Sequence, residues 1–265
     1  MRMSLTSIHP GARIGANVVV EPFTSIAQHV EIGEGTWIGP NVTIMDYVKI
    51  GKNCKIFPGA VIGAVPQDLK FAGEVTHVEI GDNTTLREYV TVNRGTAASG
   101  KNITKVGSNS LLMSYVHVAH DCSVGNQVIL ASFTGLAGEV EVHDYAIIGG
   151  SSGAHQFCRV GVHAMLSGGS FFGKDVPPYA LAGRRPLVFG GINLIGLRRR
   201  NFTADQITLI GDVYKVIYQS GLNVSDACRK VESEFPASAE RDTILDFIRA
   251  SKRGIIKSVG GLEEE

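Results

Sequence analysis

Aliphatic residues recur at every sixth position between residues 8 and 172. Three runs keep this spacing, over residues 8–62, 80–92 and 106–172. Many of the repeated positions are followed by glycine and then by a polar residue, as in Ile32-Gly33-Glu34. An amphipathic helix would need apolar residues three and four positions apart, and an alternating strand would need them two apart. The pattern therefore predicts a hexapeptide β-helix, with a short strand and a turn in each repeat.

Three hexapeptides make one triangular coil of 18 residues in such a solenoid, and successive coils stack at about 4.8 Å. Hexapeptide solenoids wind left-handed, so we expect a mainly β fold, a left-handed parallel β-helix over residues 1–186. Two interruptions, at about residues 64–79 and 94–105, break the repeat. We expect them to protrude as loops, which are common places for binding groups.

The repeat ends after Phe172, and we assign residues 187–265 to a C-terminal α-helical domain. Thr203-Ala-Asp-Gln206 is a capping-box sequence that opens a helical pattern. Two further helices are predicted, at about residues 225–235 and 238–252. The tail, residues 261–265, is expected to fray.

Composition excludes some classes of function. The 25 basic and 25 acidic residues cancel, so no net field attracts nucleic acid or an anionic membrane. No apolar stretch reaches the roughly 20 residues of a membrane span, and no secretory signal is recognisable. The four cysteines are far apart and form no metal-binding or redox pair. A cytoplasmic protein with reduced thiols is the expected outcome.

A polar cluster stands out from the repeat. Residues 18 apart lie above one another in consecutive coils, so His120, Gly138 and Gln156 should form a column. Asp121, Glu139 and His155 flank this column, and His117, three residues before His120, lies beside it. A regular repeat needs none of these polar groups, so we predict that they form the functional site.

This column suits acyl transfer. A neutral imidazole is a natural general base near pH 7, and an adjacent carboxylate can fix its tautomer. Gly138 can offer a backbone N–H to an oxyanion without a side chain in the way. Cys122 is nearby but is more typical of a small buried packing residue than of a nucleophile. The arrangement favours direct attack by a bound hydroxyl or amine on an activated acyl group.

Several separated motifs together resemble the acyl-[acyl-carrier-protein] UDP-N-acetylglucosamine O-acyltransferases. The resemblance covers nearly the whole chain, and its motifs agree in order and spacing. They are His117-Val-Ala-His120-Asp121-Cys122, Gln67-Asp68-Leu69-Lys70-Phe-Ala-Gly-Glu74, His155-Gln156-Phe157-Cys158, Asp175-Val-Pro-Pro-Tyr179 and Gly196-Leu-Arg-Arg-Arg-Asn-Phe202.

The resemblance implies a homotrimer with active sites between adjacent subunits. It also implies the first step of lipid A synthesis, in which a 3-hydroxyacyl group passes from the acyl carrier protein to the 3-position of UDP-N-acetylglucosamine. His120 would then be the general base, Asp121 its orienting partner and Gly138 the oxyanion donor. No cofactor or metal is expected.

The resemblance also assigns the substrate contacts. Asn193, Arg199 and Arg200 would face the nucleotide and its phosphates, and Gly168 would leave room for a longer acyl chain. The remaining substrate-binding residues are expected to be Gln67, Asp68, Lys70, His117, Glu139, His155 and Gln156.

Three positions depart from the family pattern. Glu139 stands where the family often has histidine, Ile195 stands where it has glutamate, and Gly183-Arg-Arg-Pro186 replaces a Gln-Gly-Asn sequence. The acceptor on the sugar therefore stays open between a 3-hydroxyl and a 3-amino group. Two more distant alternatives are a zinc-dependent hydratase on the same scaffold, which needs three histidine ligands, and a solenoid without catalysis.

Overall fold

The computed structural model describes residues 5–259 of the chain. The strands are β1 (Ser7–Ile8), β2 (Arg13–Ile14), β3 (Val19–Val20), β4 (Ser25–Ile26), β5 (Val30–Ile32), β6 (Trp37–Ile38), β7 (Thr43–Ile44), β8 (Val48–Ile50), β9 (Lys55–Ile56), β10 (Val61–Ala64), β11 (His77–Ile80), β12 (Thr85–Leu86), β13 (Thr91–Asn93), β14 (Ile103–Val106), β15 (Leu111–Leu112), β16 (His117–Val118), β17 (Ser123–Val124), β18 (Ile129–Leu130), β19 (Gly135–Leu136), β20 (Glu141–Val142), β21 (Ile147–Ile148), β22 (Gly153–Ala154), β23 (Arg159–Val160), β24 (Met165–Leu166), β25 (Phe171–Phe172), β26 (Ala180–Gly183) and β27 (Val188–Ile192). The helices are α1 (Leu194–Arg199), α2 (Ala204–Gln219), α3 (Val224–Glu234) and α4 (Ala239–Arg249), and Ala97–Ser99 forms a single 3₁₀ turn.

Successive strands of the repeat belong in turn to three different sheets. The first sheet runs from β1 through β4, β7 and every third strand to β25, the second from β2 to β23, and the third from β3 to β24. Within each sheet these strands are parallel, and from residue 103 onward paired residues are 18 apart, as for His117 and Gly135. β26 continues the third sheet and pairs with β27 as an antiparallel hairpin. The predicted left-handed parallel β-helix with C-terminal helices is confirmed.

The repeated aliphatic residues fill the interior of this triangular prism. From Ile26 to Phe172 every one of them is buried, and each buried Val, Leu, Ile or Phe side chain among them contributes about 1.5–3 kcal/mol of burial free energy. Ile8 and Ile14 are exceptions, at 39 and 38 % exposure. They belong to the N-terminal coil, which has another coil on one side only.

The three predicted helices of the C-terminal region are confirmed as α2, α3 and α4. Thr203 caps α2 through the predicted capping box with Gln206. Helix α1, which carries part of the arginine run, was not predicted as a helix. The predicted domain division falls inside the β26–β27 turn and stays a prediction, and the tail at residues 261–265 lies outside the described residues.

The helices pack on the last coils of the β-helix. Ile210, Val213 and Ile217 of α2 belong to a second apolar cluster, which also contains Tyr179 from the end of the repeat region. The Arg159 guanidinium of β23 lies 4.3 Å from the ring centroid of Phe247 in α4. Within residues 5–259 the longest helix, α2, has 16 residues, and none has the length and hydropathy of a membrane span.

Three corners join the sheets, and they set the positions of the polar residues. His120 and Asp121 lie at the corner between the first and second sheets, whereas Gln127 lies at the corner between the second and third. Corner residues adopt positive φ, which is 60° for both Asp121 and Glu139. The two corners are separated by the width of the second sheet.

Candidate active site

His120 and Asp121 form a hydrogen-bonded pair at the corner that follows β16. Nδ1 of His120 donates to Oδ2 of Asp121 over 2.9 Å, and both side chains are buried. Because a carboxylate can only accept, Nδ1 carries the hydrogen, and the neutral ring has its lone pair on Nε2. The pair therefore presents Nε2 as a proton acceptor, as a general base requires.

Loop 94–105 supplies the other partners of the Asp121 carboxylate. The Thr96 N–H donates to Oδ1 over 2.9 Å and to Oδ2 over 3.0 Å, and its hydroxyl donates to Oδ2 over 2.7 Å. The Ser99 hydroxyl donates to Oδ1 over 2.7 Å. Asp121 thus has donors on both oxygens, and its orientation relative to His120 is fixed. Sequence reasoning missed Thr96 and Ser99, because hydroxyl residues in a loop give no repeat signal.

Gly138 lies one coil beyond His120, directly against the imidazole. A Cβ at this position would be 2.4 Å from Nε2 of His120, which is closer than real Cβ contacts. The neighbouring amides of Ala137 and Glu139 donate to carbonyls of adjacent coils, whereas the Gly138 N–H has no acceptor among residues 5–259. Gly138 therefore leaves both the space for the ring and an unused donor beside it.

Asp68 reaches the same place from the first protruding loop. Its Oδ2 lies 3.7 Å from Nε2 of His120, while its Oδ1 accepts a hydrogen bond from the Lys70 N–H over 2.9 Å. Gln67 and Lys70 are exposed on either side of it. The imidazole thus has a carboxylate at each end, buried Asp121 at Nδ1 and partly exposed Asp68 at Nε2.

Glu74 connects the two protruding loops. Its Oε1 accepts from the Ala97 N–H over 2.9 Å, and its Oε2 accepts from the Ala72 N–H over 2.8 Å. These backbone hydrogen bonds hold the pKa of the Glu74 carboxyl below its usual value. The loop that carries Asp68 and the loop that holds Asp121 are therefore joined to each other.

His117 lies on β16, three residues before His120. Its Nδ1 is 2.7 Å from the hydroxyl oxygen of Thr91 in the neighbouring strand β13. Burial lowers the pKa of His117 below its ordinary value, so the ring is neutral near pH 7. A neutral, hydroxyl-anchored imidazole is suited to hydrogen bonding with a sugar.

The next two coils carry three further members of the predicted cluster. His155 is exposed, with its Nδ1 3.1 Å from the Gln156 carbonyl oxygen, and Gln156 is half-buried. Glu139 is half-buried, and its N–H donates to the His120 carbonyl over 2.9 Å. Gly168 is exposed at another corner, between β24 of the third sheet and β25 of the first, where a Cβ would be 3.2 Å from the Gly150 carbonyl oxygen.

The arginine segment lies at a different corner of the same chain. Nη1 of Arg200 donates to Oε1 of Gln127 over 3.0 Å, and its guanidinium lies 4.3 Å from the ring centroid of Tyr145. Arg199 is exposed, whereas Asn193 is buried as the N-cap of α1 and donates to the His163 carbonyl over 2.9 Å. Within one chain, the structure does not bring these three residues to His120.

The structure offers little support for a cysteine nucleophile or a metal site among residues 5–259. Burial raises the pKa of the Cys122 thiol to about 12, which makes it a poor nucleophile. Across residues 5–259, no group of three or more histidine, cysteine or acidic side chains is placed to hold a metal ion. The zinc alternative therefore has no ligand set in the part of the chain that the structure describes.

Comparison with known proteins agrees with the geometry. Residues 175–256 match the family model described as "Udp N-acetylglucosamine O-acyltransferase; Domain 2", and residues 29–64 and 103–138 match the bacterial transferase hexapeptide model. The acyl-[acyl-carrier-protein]–UDP-N-acetylglucosamine O-acyltransferase of Thiobacillus denitrificans is 41 % identical over 250 residues, covering 94 % of this chain and 96 % of that protein.

Solved structures give the same answer. The UDP-N-acetylglucosamine acyltransferase (LpxA) from Bacteroides fragilis is 54 % identical with a TM-score of 0.94, covering 97 % of this chain and 100 % of that one. The Francisella novicida UDP-N-acetylglucosamine acyltransferase is 39 % identical with a TM-score of 0.95, covering 98 and 95 %. On this evidence the chain belongs to the UDP-N-acetylglucosamine O-acyltransferase family.

Proposed function

We propose that the chain transfers a 3-hydroxyacyl group from the thioester of an acyl carrier protein to the 3-position of UDP-N-acetylglucosamine. The observation that carries this proposal is the His120 site. Its Nδ1 is held by buried Asp121, and its Nε2 lies beside Asp68 and Gly138. Family membership supplies the substrates, and this geometry supplies a base and an oxyanion donor at one place.

The reaction uses these groups in sequence. Nε2 of His120 takes the proton from the sugar 3-hydroxyl as its oxygen attacks the thioester carbonyl. The Gly138 N–H stabilises the resulting oxyanion, and Asp121 stabilises the imidazolium. Collapse of the tetrahedral intermediate breaks the C–S bond, and the imidazolium returns its proton to the leaving thiolate. The products are the 3-O-acyl sugar nucleotide and the free carrier-protein thiol.

The neighbouring polar residues bind the sugar and the acyl chain. Asp68 and His117 lie on the sugar side of His120. Glu139, His155 and Gln156 extend the site along the next two coils. Gln67 and Lys70 line its loop side, and Gly168 leaves space for the distal part of a long acyl chain.

The nucleotide contacts come from a second subunit in this proposal. Arg200 lies at the corner between the second and third sheets, whereas His120 lies at the corner between the first and second. In a closed three-fold assembly the interface is heterologous, so one kind of corner of a chain can lie beside the other kind of its neighbour. Asn193, Arg199 and Arg200 would then face the nucleotide across the interface of a homotrimer, which we expect to be cytoplasmic.

The acceptor atom is tested by a direct comparison. Purified enzyme is incubated with a series of 3-hydroxyacyl carrier proteins of increasing chain length and with either UDP-N-acetylglucosamine or its 3-amino analogue. The proposal predicts higher kcat/KM with the 3-hydroxyl sugar and a preference for one long chain length. Faster turnover of the amino sugar would show that the acceptor is a 3-amino group. If neither sugar is acylated, the proposed function is wrong.

A further inference from the structure

The structure places two hydroxyl groups from loop 94–105 on one buried carboxylate. The hydroxyls of Thr96 and Ser99 each donate to Asp121 over 2.7 Å, one to each oxygen. Asp121 is fully buried and Thr96 is 1 % exposed. Neither hydroxyl touches His120, so their effect on the imidazole must pass through Asp121.

Local backbone structure puts Ser99 in this position. Thr96 caps the 3₁₀ turn Ala97–Ser99, and Gly100 ends it with φ of 74°. Gly95 lets the loop approach, since a Cβ there would be 2.2 Å from the Ile103 nitrogen and 2.7 Å from Oδ1 of Asp121. The turn is therefore built so that the Ser99 hydroxyl meets Oδ1.

The two oxygens of Asp121 depend on Ser99 unequally. Oδ2 accepts from His120 Nδ1, from the Thr96 hydroxyl and from the Thr96 N–H, whereas Oδ1 accepts from the Thr96 N–H and the Ser99 hydroxyl. Without the Ser99 hydroxyl, Oδ1 keeps one shared donor, and the carboxylate is free to turn toward Thr96. A turn of the carboxylate changes the direction in which Nδ1 of His120 is held.

We infer that Ser99 is a positioning residue for acyl transfer, which with Thr96 fixes Asp121 and thereby aims Nε2 of His120 at the acceptor hydroxyl. This inference rests on the proposed function, in which His120 is the general base. Ser99 itself has no contact with the reacting atoms. Its contribution is to the rate of the chemical step and not to the binding of either substrate.

The test measures kcat and both KM values of Ser99→Ala in the carrier-protein assay. Losing one hydrogen bond to a charged group corresponds to a fall in kcat of roughly ten-fold. The KM values should stay within about two-fold of the wild-type values, because ground-state binding is unchanged. Ser99→Thr keeps a hydroxyl and should restore most of the activity.

Ser251 offers a matched control. Its hydroxyl donates to Oδ2 of Asp175 over 2.7 Å, and Asp175 is also buried, at 1 % exposure. Ser251→Ala therefore removes the same kind of hydrogen bond outside the His120–Asp121 network and should leave kcat unchanged. If both alanine variants lose kcat in proportion to their loss of thermal stability, the role of Ser99 is structural and the inference is wrong.

A second pair keeps the test decisive if Ser99→Ala does not assemble. Thr96→Val removes the other hydroxyl at nearly constant shape, and Thr96→Ser restores it. The inference predicts a kcat loss in the valine variant that serine recovers. Wild-type kcat in Ser99→Ala or Thr96→Val, together with an inactive His120→Ala, would overturn the inference while leaving the proposed function standing. An active His120→Ala would overturn the proposed function instead.

Discussion

Nε2 of His120 lies where the side chain of residue 138 would begin, and a Cβ on Gly138 would be 2.4 Å from it. The two residues are 18 positions apart, so the coil repeat itself brings them together. Glycine at 138 is required by the space that the imidazole occupies, quite apart from any role of its N–H group. The imidazole at position 120 therefore requires glycine at position 138.

Gly138→Ala should displace the imidazole from its hydrogen bond with Asp121. Because misplacement of a catalytic group by about 1 Å can cost about 10² in rate, we expect kcat to fall by about two orders of magnitude. Steady-state kinetics with saturating substrates measure the change. Circular dichroism and thermal melting show whether the β-helix remains folded.

Gly211→Ala is the matched control for this substitution. Gly211 lies in α2, and a Cβ there would meet Ile192 Cδ1 at 3.9 Å, an ordinary contact. Replacing a helical glycine by alanine should stabilise the helix by about 0.5–1 kcal/mol and leave kcat unchanged. A Gly138→Ala enzyme with wild-type kcat would contradict the close packing of His120 on residue 138.

His163 should make the stability of the protein depend on pH. Burial, and then the nearby charge of Arg200, lower the pKa of His163 from 6.5 to about 4. The unfolded chain therefore takes up a proton between about pH 6.5 and pH 4 that the folded chain does not. Stability from this group is fully present above pH 6.5 and is lost as the pH falls toward 4.

Denaturant unfolding at pH 7 and pH 4.5 measures this loss. The shift sets a ceiling of about 3–4 kcal/mol on this loss, and solvent screening of the half-buried ring lowers it. His163→Gln should reduce the difference between the two free energies of unfolding, while His9→Gln, at an exposed N-terminal position, should not. A difference that is the same in wild type and His163→Gln would contradict the prediction.

Asp144 is an acidic group near His163, and its negative charge raises the His163 pKa, against the effects of burial and Arg200.

Sites shared between subunits should allow complementation. His120→Ala and Arg200→Ala are each expected to be nearly inactive as homotrimers. In mixed trimers, a site with His120 from one subunit and Arg200 from the next is intact. Random mixing in equal amounts should therefore give about one quarter of the wild-type number of sites.

Co-expression of the two variants with different tags, followed by purification and assay, measures that fraction. Mixing two copies of the same variant under different tags is the control and should recover nothing. No recovery in mixed trimers of confirmed composition would place His120 and Arg200 in the same subunit's site or remove Arg200 from the site.

The repeat made much of the fold and one half of the site predictable. A period of six determines which residues are stacked, so His120 and Gly138 were placed together without knowledge of any relative. The apposition of Asp121 and His120 also followed from adjacency at a corner. These are consequences of regular geometry, in which sequence separation converts directly into distance.

The rest of the site depends on segments that have no period. Thr96 and Ser99 act on Asp121 through a short irregular loop, and Asp68 and Glu74 lie in the other loop, so their contacts could not be counted from residue spacing. Asn193 was expected to face a nucleotide, whereas in one chain its side chain caps α1 and bonds the His163 carbonyl. Its role toward substrate stays a prediction that depends on the assembly.

The rate of acyl transfer by His120→Ala tests most directly whether His120 is the general base. His29→Ala is the matched control, since His29 also pairs with an aspartate, Asp46, over 3.0 Å, at the same corner of the β-helix in an earlier coil. Assays use the preferred 3-hydroxyacyl carrier protein and UDP-N-acetylglucosamine. We predict that His120→Ala lowers kcat by about 10² or more while the protein keeps the melting temperature of a folded β-helix, and that His29→Ala keeps wild-type kcat. A folded His120→Ala enzyme with undiminished kcat would contradict the central claim.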